Sequence, residues 1–166
     1  GLSGKMAGGL TALVALVNVL GNLASGRLLQ QGWSAQRLLH MGFGCMAVGA
    51  VAAFAQVGDA ALPMPLRYVA VLMFSACGGL IPSTLFSTAV RLAPSESTVS
   101  TTVGYMQQWS ALGQFGGPPL VAWLATTTSS WQWTWCITVC LCVIGGVLAV
   151  RIQHCLADAV HISASR

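Results

Sequence analysis

The chain has 166 residues, of which 55% are hydrophobic and 6% charged, and its mean hydropathy is +0.76. A soluble domain carries about a quarter charged residues, so this composition excludes a water-facing globular surface. The net charge of +4 is spread over single Lys and Arg residues with no basic cluster or aromatic-interleaved patch, which argues against a nucleic-acid partner.

Charged residues fall between long apolar runs or at their edges, as expected where a charge at the centre of a bilayer is costly. The chain starts at Gly1 without a methionine, and no basic n-region precedes the first apolar run, the pattern of a segment cut from a longer protein. Crossing a hydrocarbon core of about 30 Å takes about 20 apolar residues. Five stretches qualify, at 6–28, 38–57, 67–90, 102–125 and 133–151. The expected fold is therefore all-α, a polytopic transmembrane helix bundle of about five spans over 1–151, followed by a cytoplasmic tail at 152–166.

On the first span Thr11, Asn18, Asn22 and Ser25 recur at helical intervals and share one face. The loop that follows holds Arg27 and Arg37. The second span has only Gln56 at its end, with His40 alone at its edge as an interfacial anchor. A loop with Asp59 and two prolines leads into the third span, where Ser75, Gly79, Ser83 and Ser87 recur every four residues. Gly78, Gly79 and Pro82 interrupt it, and Arg67 and Arg91 bracket it as anchors that snorkel to the two surfaces. The fourth span carries Gln107, Ser110, Gln114 and Pro118 on one face, broken by Gly113, Gly116, Gly117, Pro118 and Pro119. Pro82, Gly117, Pro118 and Pro119 are the expected kink residues, because each proline frees a carbonyl one turn back. The fifth span has only Thr134 and Thr138, whose hydroxyls can bond their own backbone.

An amide facing lipid is costly unless paired, so the striped first, third and fourth spans are expected to turn their stripes toward protein or a wet cavity. The second and fifth are expected on the lipid side. The candidate solute path is Asn18, Asn22, Ser75, Ser83, Gln107, Ser110 and Gln114; the competing reading of each is a hydrogen bond between packed helices. Five of the six cysteines lie in apolar runs and read as packing residues. Cys136 and Cys140 have no His or carboxylate beside them, so no metal and no cofactor is expected. The spans hold no Asp, Glu or Lys, which argues against an enzyme and places any proton coupling outside this segment.

Orientation follows the Lys and Arg bias. With Gly1 outside and Arg166 inside, the inner loops hold Arg27, Arg37, Arg91, Arg151 and Arg166 against Lys5 and Arg67 outside. Trp123, Trp131, Trp133 and Trp135 then form an outer interfacial belt.

Gly26-Arg27-Leu28-Leu29-Gln30-Gln31-Gly32 resembles the loop motif G-x-L-A-D-R-x-G of the major facilitator superfamily, with Gln30 in place of the acid, Gln31 in place of a base and one residue missing before Gly32. Gly113 to Pro119 resembles that family's glycine-proline motif on a kinked cavity helix. The resemblance implies that the five spans are the eighth to twelfth helices of a twelve-helix transporter, the C-terminal half, with the eighth, tenth and eleventh lining a cavity and Gly26, Arg27, Gln30 and Gly32 forming the loop motif. The implied function is membrane transport of a small solute by a secondary transporter in the cell membrane, with the solute, the lipid bilayer and the N-terminal half as partners. The alternative is a membrane scaffold that assembles through Gly-rich helix faces and moves nothing.

Overall fold

The computed structural model describes residues 3–57 and 60–164. Gly1, Asp59 and Arg166, used above for topology, lie outside the described residues. Among the described residues six helices follow in order: α1 (Gly4–Gln30), α2 (Ala35–Phe54), α3 (Met64–Gly78), α4 (Leu80–Leu92), α5 (Val99–Thr127) and α6 (Thr134–Ala164). A two-residue hairpin, β1 (Gln56–Val57) against β2 (Ala60–Ala61), joins α2 to α3. Short 3-10 turns at Glu96–Thr98 and Trp131–Trp133 lead into α5 and α6.

Among the described residues four segments are long and apolar enough to cross a membrane: Gly4–Gln30, Ala35–Phe54, Met64–Leu92 and Trp131–Leu156. The 29-residue α5 matches the predicted fourth span and has the length for a crossing, ~44 Å at 1.5 Å per residue. Its glutamines and two prolines keep it out of that set.

Helix ends follow local chemistry. The Ser34 hydroxyl accepts the Arg37 N–H at 3.2 Å, an N-cap that starts α2 three residues before the predicted span. At the end of α1, Trp33 N–H donates to the Leu28 carbonyl and Gly32 N–H to that of Leu29, the six-to-one and five-to-two bonds of a Schellman stop. Gly32 has φ +89°, a conformation open to glycine at little cost. The same stop closes α5, with Ser130 N–H bonded to the Ala125 carbonyl, but there the left-handed residue is Ser129 at φ 52°. The last helix does not end at Arg151. It runs to Ala164, there being no Gly or Pro after Gly146 to stop it.

The third predicted span breaks into α3 and α4 at Gly79. Pro82 falls in the first turn of α4, where a helix needs no N–H donor, so α4 tolerates it as a starting residue. By contrast, Pro118 and Pro119 lie inside α5 without ending it.

At the centre stands α2, against α3 and α4 on one side and α6 on the other. Its buried residues, Ala35, Leu38, Leu39, Gly42, Gly49, Ala50 and Ala53, form a small-residue stripe. A side chain at Gly49 would meet the Ala70 carbonyl and Phe74, one at Gly42 would meet Ile81, and one at Gly145 of α6 would overlap the Phe43 ring. This corrects the expectation that the second span lies on the lipid side: few polar residues meant small, close-packing ones, and only Met41, Val48 and Val51 among its large apolar side chains are exposed. Arg67, at the start of α3, donates from Nε to the Ala53 carbonyl at 2.6 Å and ties down the end of α2.

Candidate functional site

The polar stripes of the sequence separate into two places. One is the seam between α1 and the broken pair α3 and α4, which run parallel. Tyr68 OH donates to the Leu10 carbonyl at 2.8 Å, Ser75 Oγ to the Val14 carbonyl at 2.8 Å, and Asn18 Nδ2 to the Ser75 carbonyl at 2.9 Å. Asn22 Nδ2 donates back to the Asn18 carbonyl and side-chain oxygens. Further along, Ser25 and Thr84, both fully buried, share a hydrogen bond of 2.8 Å. Thr84 spends its single proton on the Leu80 carbonyl at 2.7 Å, so Ser25 is the donor between them.

Glycines let these bonds form. A Cβ on Gly21 would overlap the Ala76 carbonyl oxygen, and one on Gly79 would overlap the Asn18 carbonyl oxygen. The backbones are in contact, as small residues allow between membrane helices. The seam holds Asn18, Asn22 and Ser75 of the candidate path together. Ser83 is only half-buried, and Ser87 is exposed. After the break at Gly79 the buried face is carried by Leu80, Thr84 and Thr88, one residue out of phase with the predicted stripe.

The second place is α5. Gln107, Ser110 and Gln114 are exposed, Gln114 Nε2 donates to Ser110 Oγ at 3.2 Å, and Ala125 is the one buried residue of this helix. The helix packs on α4 and α6, its chain neighbours, and the described structure does not bring its glutamines to Asn18 or Ser75. Phe115, beside Gln114, is 83% exposed, and Tyr105, Trp109 and Trp123 are also open. Gly113, Gly116 and Gly117 face open space.

The loop motif is used as a helix stop. Gly26 and Arg27 are in the last turn of α1, Gln30 is its final residue, and Gly32 makes the turn. Arg27 and Gln30 are exposed. Arg37 stacks on the Trp33 ring, 5.3 Å from its centre, which fixes the short link into α2. Among the described residues no cluster of His, Cys, Asp or Glu could hold a metal, and every buried side-chain nitrogen or oxygen has a hydrogen-bond partner.

Gly21, Thr84 and Tyr68 were not singled out by sequence reasoning. Gly21 carried a readable signal, one turn from Asn18 and Ser25 on the striped face. Thr84 was hidden by the phase slip at Gly79.

Residues 1–155 match the family model described as Major Facilitator Superfamily. Neither the curated proteins nor the solved structures give a match. With a matched region covering nearly the whole chain and helices of membrane-crossing length and apolarity, this multi-pass membrane protein belongs to the major facilitator superfamily, a family of secondary transporters rather than enzymes.

Proposed function

We propose that the chain takes part in moving a small solute across the cell membrane, as helices eight to twelve of the C-terminal half of a secondary transporter, with Gly1 outside and the tail after Arg151 cytoplasmic. The observation that carries this reading is α5: a helix of membrane length whose Gln107, Ser110 and Gln114, among the described residues, face no other helix. Carboxamides at membrane depth are stable only against protein or water. A solute cavity closed by an N-terminal half supplies both. In this reading Asn22 and Ser83 flank the path, Asn18 and Ser75 brace its wall, and Pro118 and Pro119 leave carbonyls of α5 free to meet water or solute.

The test is Gln114→Ala in the transporter with both halves present. Uptake is expected to change while membrane insertion does not. Unaltered uptake in Gln114→Ala, together with loss of uptake in Phe115→Ala, would put the path on the wrong face. A scaffold that moves nothing is the second reading, supported by the open glycines Gly113, Gly116 and Gly117, which can seat another helix. Solute uptake by the intact protein in vesicles separates the two.

A further inference from the structure

The last turn of α3 lies against the middle of α2 with little side chain between them. A Cβ on Gly42 would stand 3.1 Å from the Cys77 carbonyl oxygen, and one on Gly49 would stand 3.0 Å from that of Ala70. From the other side, a Cβ on Gly78 would stand 3.2 Å from Met46 Sδ. The two helices are thus antiparallel, and their backbones come together as glycine allows. In this register Cys45 falls opposite the last turn of α3, where its thiol is hydrogen-bonded to that of Cys77. Both cysteines are free and half-buried.

A disulfide needs Cα atoms about 4.4–6.8 Å apart and side chains that point at each other. The close backbone approach at Gly42 and Gly49 favours the first, and the thiol hydrogen bond supplies the second. Cys136, Cys140, Cys142 and Cys155 are placed differently, all on the single helix α6. Depth selects the oxidant. Cys45 and Cys77 lie within the spans Ala35–Phe54 and Met64–Leu92, where a charged oxidant is costly to bring and a neutral hydroperoxide is not. One sulfur attacks the terminal peroxide oxygen, which breaks the O–O bond, releases water or an alcohol and leaves a sulfenic acid. The second sulfur then displaces that hydroxyl as water and closes the S–S bond. The two sulfurs together lose two electrons, and the peroxide gains them.

We propose that Cys45 and Cys77 are a dithiol modification site, which a neutral hydroperoxide closes into a reversible disulfide that latches α2 to α3 beside the break at Gly79. The oxidant is hydrogen peroxide or a peroxidised acyl chain, which share this chemistry. Cys77 stands two residues before Gly79, and Ser75 already holds the same turn to α1 through Asn18 and Val14. A bond from Cys77 to α2 fixes that turn from a second side, so the junction between α3 and α4 stiffens. The latch uses no residue of the α5 face and does not depend on the transport reading.

The test uses the whole chain in nanodiscs, reduced with dithiothreitol and then freed of it. One arm adds hydrogen peroxide to discs of saturated phosphatidylcholine; the other doses the discs with the hydroperoxide of linoleoyl phosphatidylcholine. Remaining thiols are capped with N-ethylmaleimide, and peptide mass mapping reads the linkage. A linked Cys45–Cys77 peptide, two hydrogens lighter than the reduced pair and split by dithiothreitol, is expected in at least one arm. A response in one arm alone identifies the source of the oxidant as aqueous or lipid, and either supports the site. Amide hydrogen exchange over 78–84 should slow by about tenfold in the linked chain, and the slowing should be lost in Cys45→Ser treated in the same way. Because the linkage is read on the unsubstituted chain, poor folding of the variant cannot mask it. Absence of the linked peptide in both arms overturns the proposal. So does pairing of Cys45 or Cys77 with another cysteine in its place, or linkage without slower exchange.

Discussion

Replacing Gly21 with alanine tests the α1 seam directly. A methyl group at that position would overlap the carbonyl oxygen of Ala76, and it would lie 3.3 Å from the Gly79 Cα. Both obstacles are backbone, so no side-chain rotation relieves the clash, and α1 must move away from α3 and α4. Such a move stretches the Asn18 bond to the Ser75 carbonyl, the Ser75 bond to the Val14 carbonyl and the Ser25 bond to Thr84. Hydrogen bonds between membrane helices average ~0.6 kcal/mol, so three of them contribute about 2 kcal/mol. Overpacking adds about 1–3 kcal/mol, and the better helix propensity of alanine returns about 1 kcal/mol. The expected net loss is about 2–4 kcal/mol. Gly9→Ala, on the same helix with open space around it, should instead be neutral or stabilising by up to about 1 kcal/mol.

The assay is equilibrium unfolding in mixed micelles with increasing dodecyl sulfate, followed by helical circular dichroism. Because Gly21→Ala acts by prying the seam apart, its effect should shrink in an Asn18→Ala background, where one bond is already gone. Equal stability of Gly21→Ala and Gly9→Ala, or strict additivity with Asn18→Ala, would refute the seam.

Further outcomes concern the helix stops, the topology and the coupling. Gly32→Ala should destabilise by about 1 kcal/mol because its φ is left-handed, while Ser129→Gly, which relieves the same conformation at the end of α5, should stabilise by about 1 kcal/mol; unfolding midpoints of the two variants check the opposite signs. Single cysteines at Ser34 and Ser129, in a background without native cysteines, should label from opposite sides of the membrane, and labelling of both from one side would overturn the proposed spans. Joint neutralisation of Asp59, Glu96, Asp158 and His40 in the transporter with both halves present should leave accumulation driven by a pH gradient intact, since the predicted spans hold no Asp, Glu or Lys; loss of accumulation with downhill uptake preserved would place the coupling site in this chain.

What could be read from the sequence was set by the bilayer. Hydrocarbon thickness dictates the length of apolar runs, and the predicted spans at 6–28 and 102–125 fall within α1 and α5. The stripe on α1 was legible because an unbroken helix preserves its phase, and Asn18, Asn22 and Ser25 do share the seam. On the third span the same arithmetic held only as far as Gly79. Beyond it the helix restarts, and Ser83 and Ser87 yield the buried face to Thr84 and Thr88. The central place of α2 was missed for a physical reason: without a hydrophobic force to sort side chains in lipid, burial is marked by small size rather than by apolarity. Gly42, Gly49, Ala50 and Ala53 held that information while the count of polar groups did not.

Hydrogen-bond saturation then sorts the polar residues that spacing alone left equivalent. Asn18, Asn22, Ser25, Ser75 and Thr84 all have partners within the chain, and among the described residues no buried side-chain polar atom is left without one. Much of their polarity is answered by α1, α3 and α4 themselves. Gln107 and Gln114 differ in kind: among the described residues they meet no other helix, and the single bond from Gln114 to Ser110 leaves most of their capacity unfilled. A membrane-length helix cannot leave that capacity facing lipid. Among the described residues this unpaired polarity is concentrated on α5, and the proposed function sets a partner surface with water or solute against it.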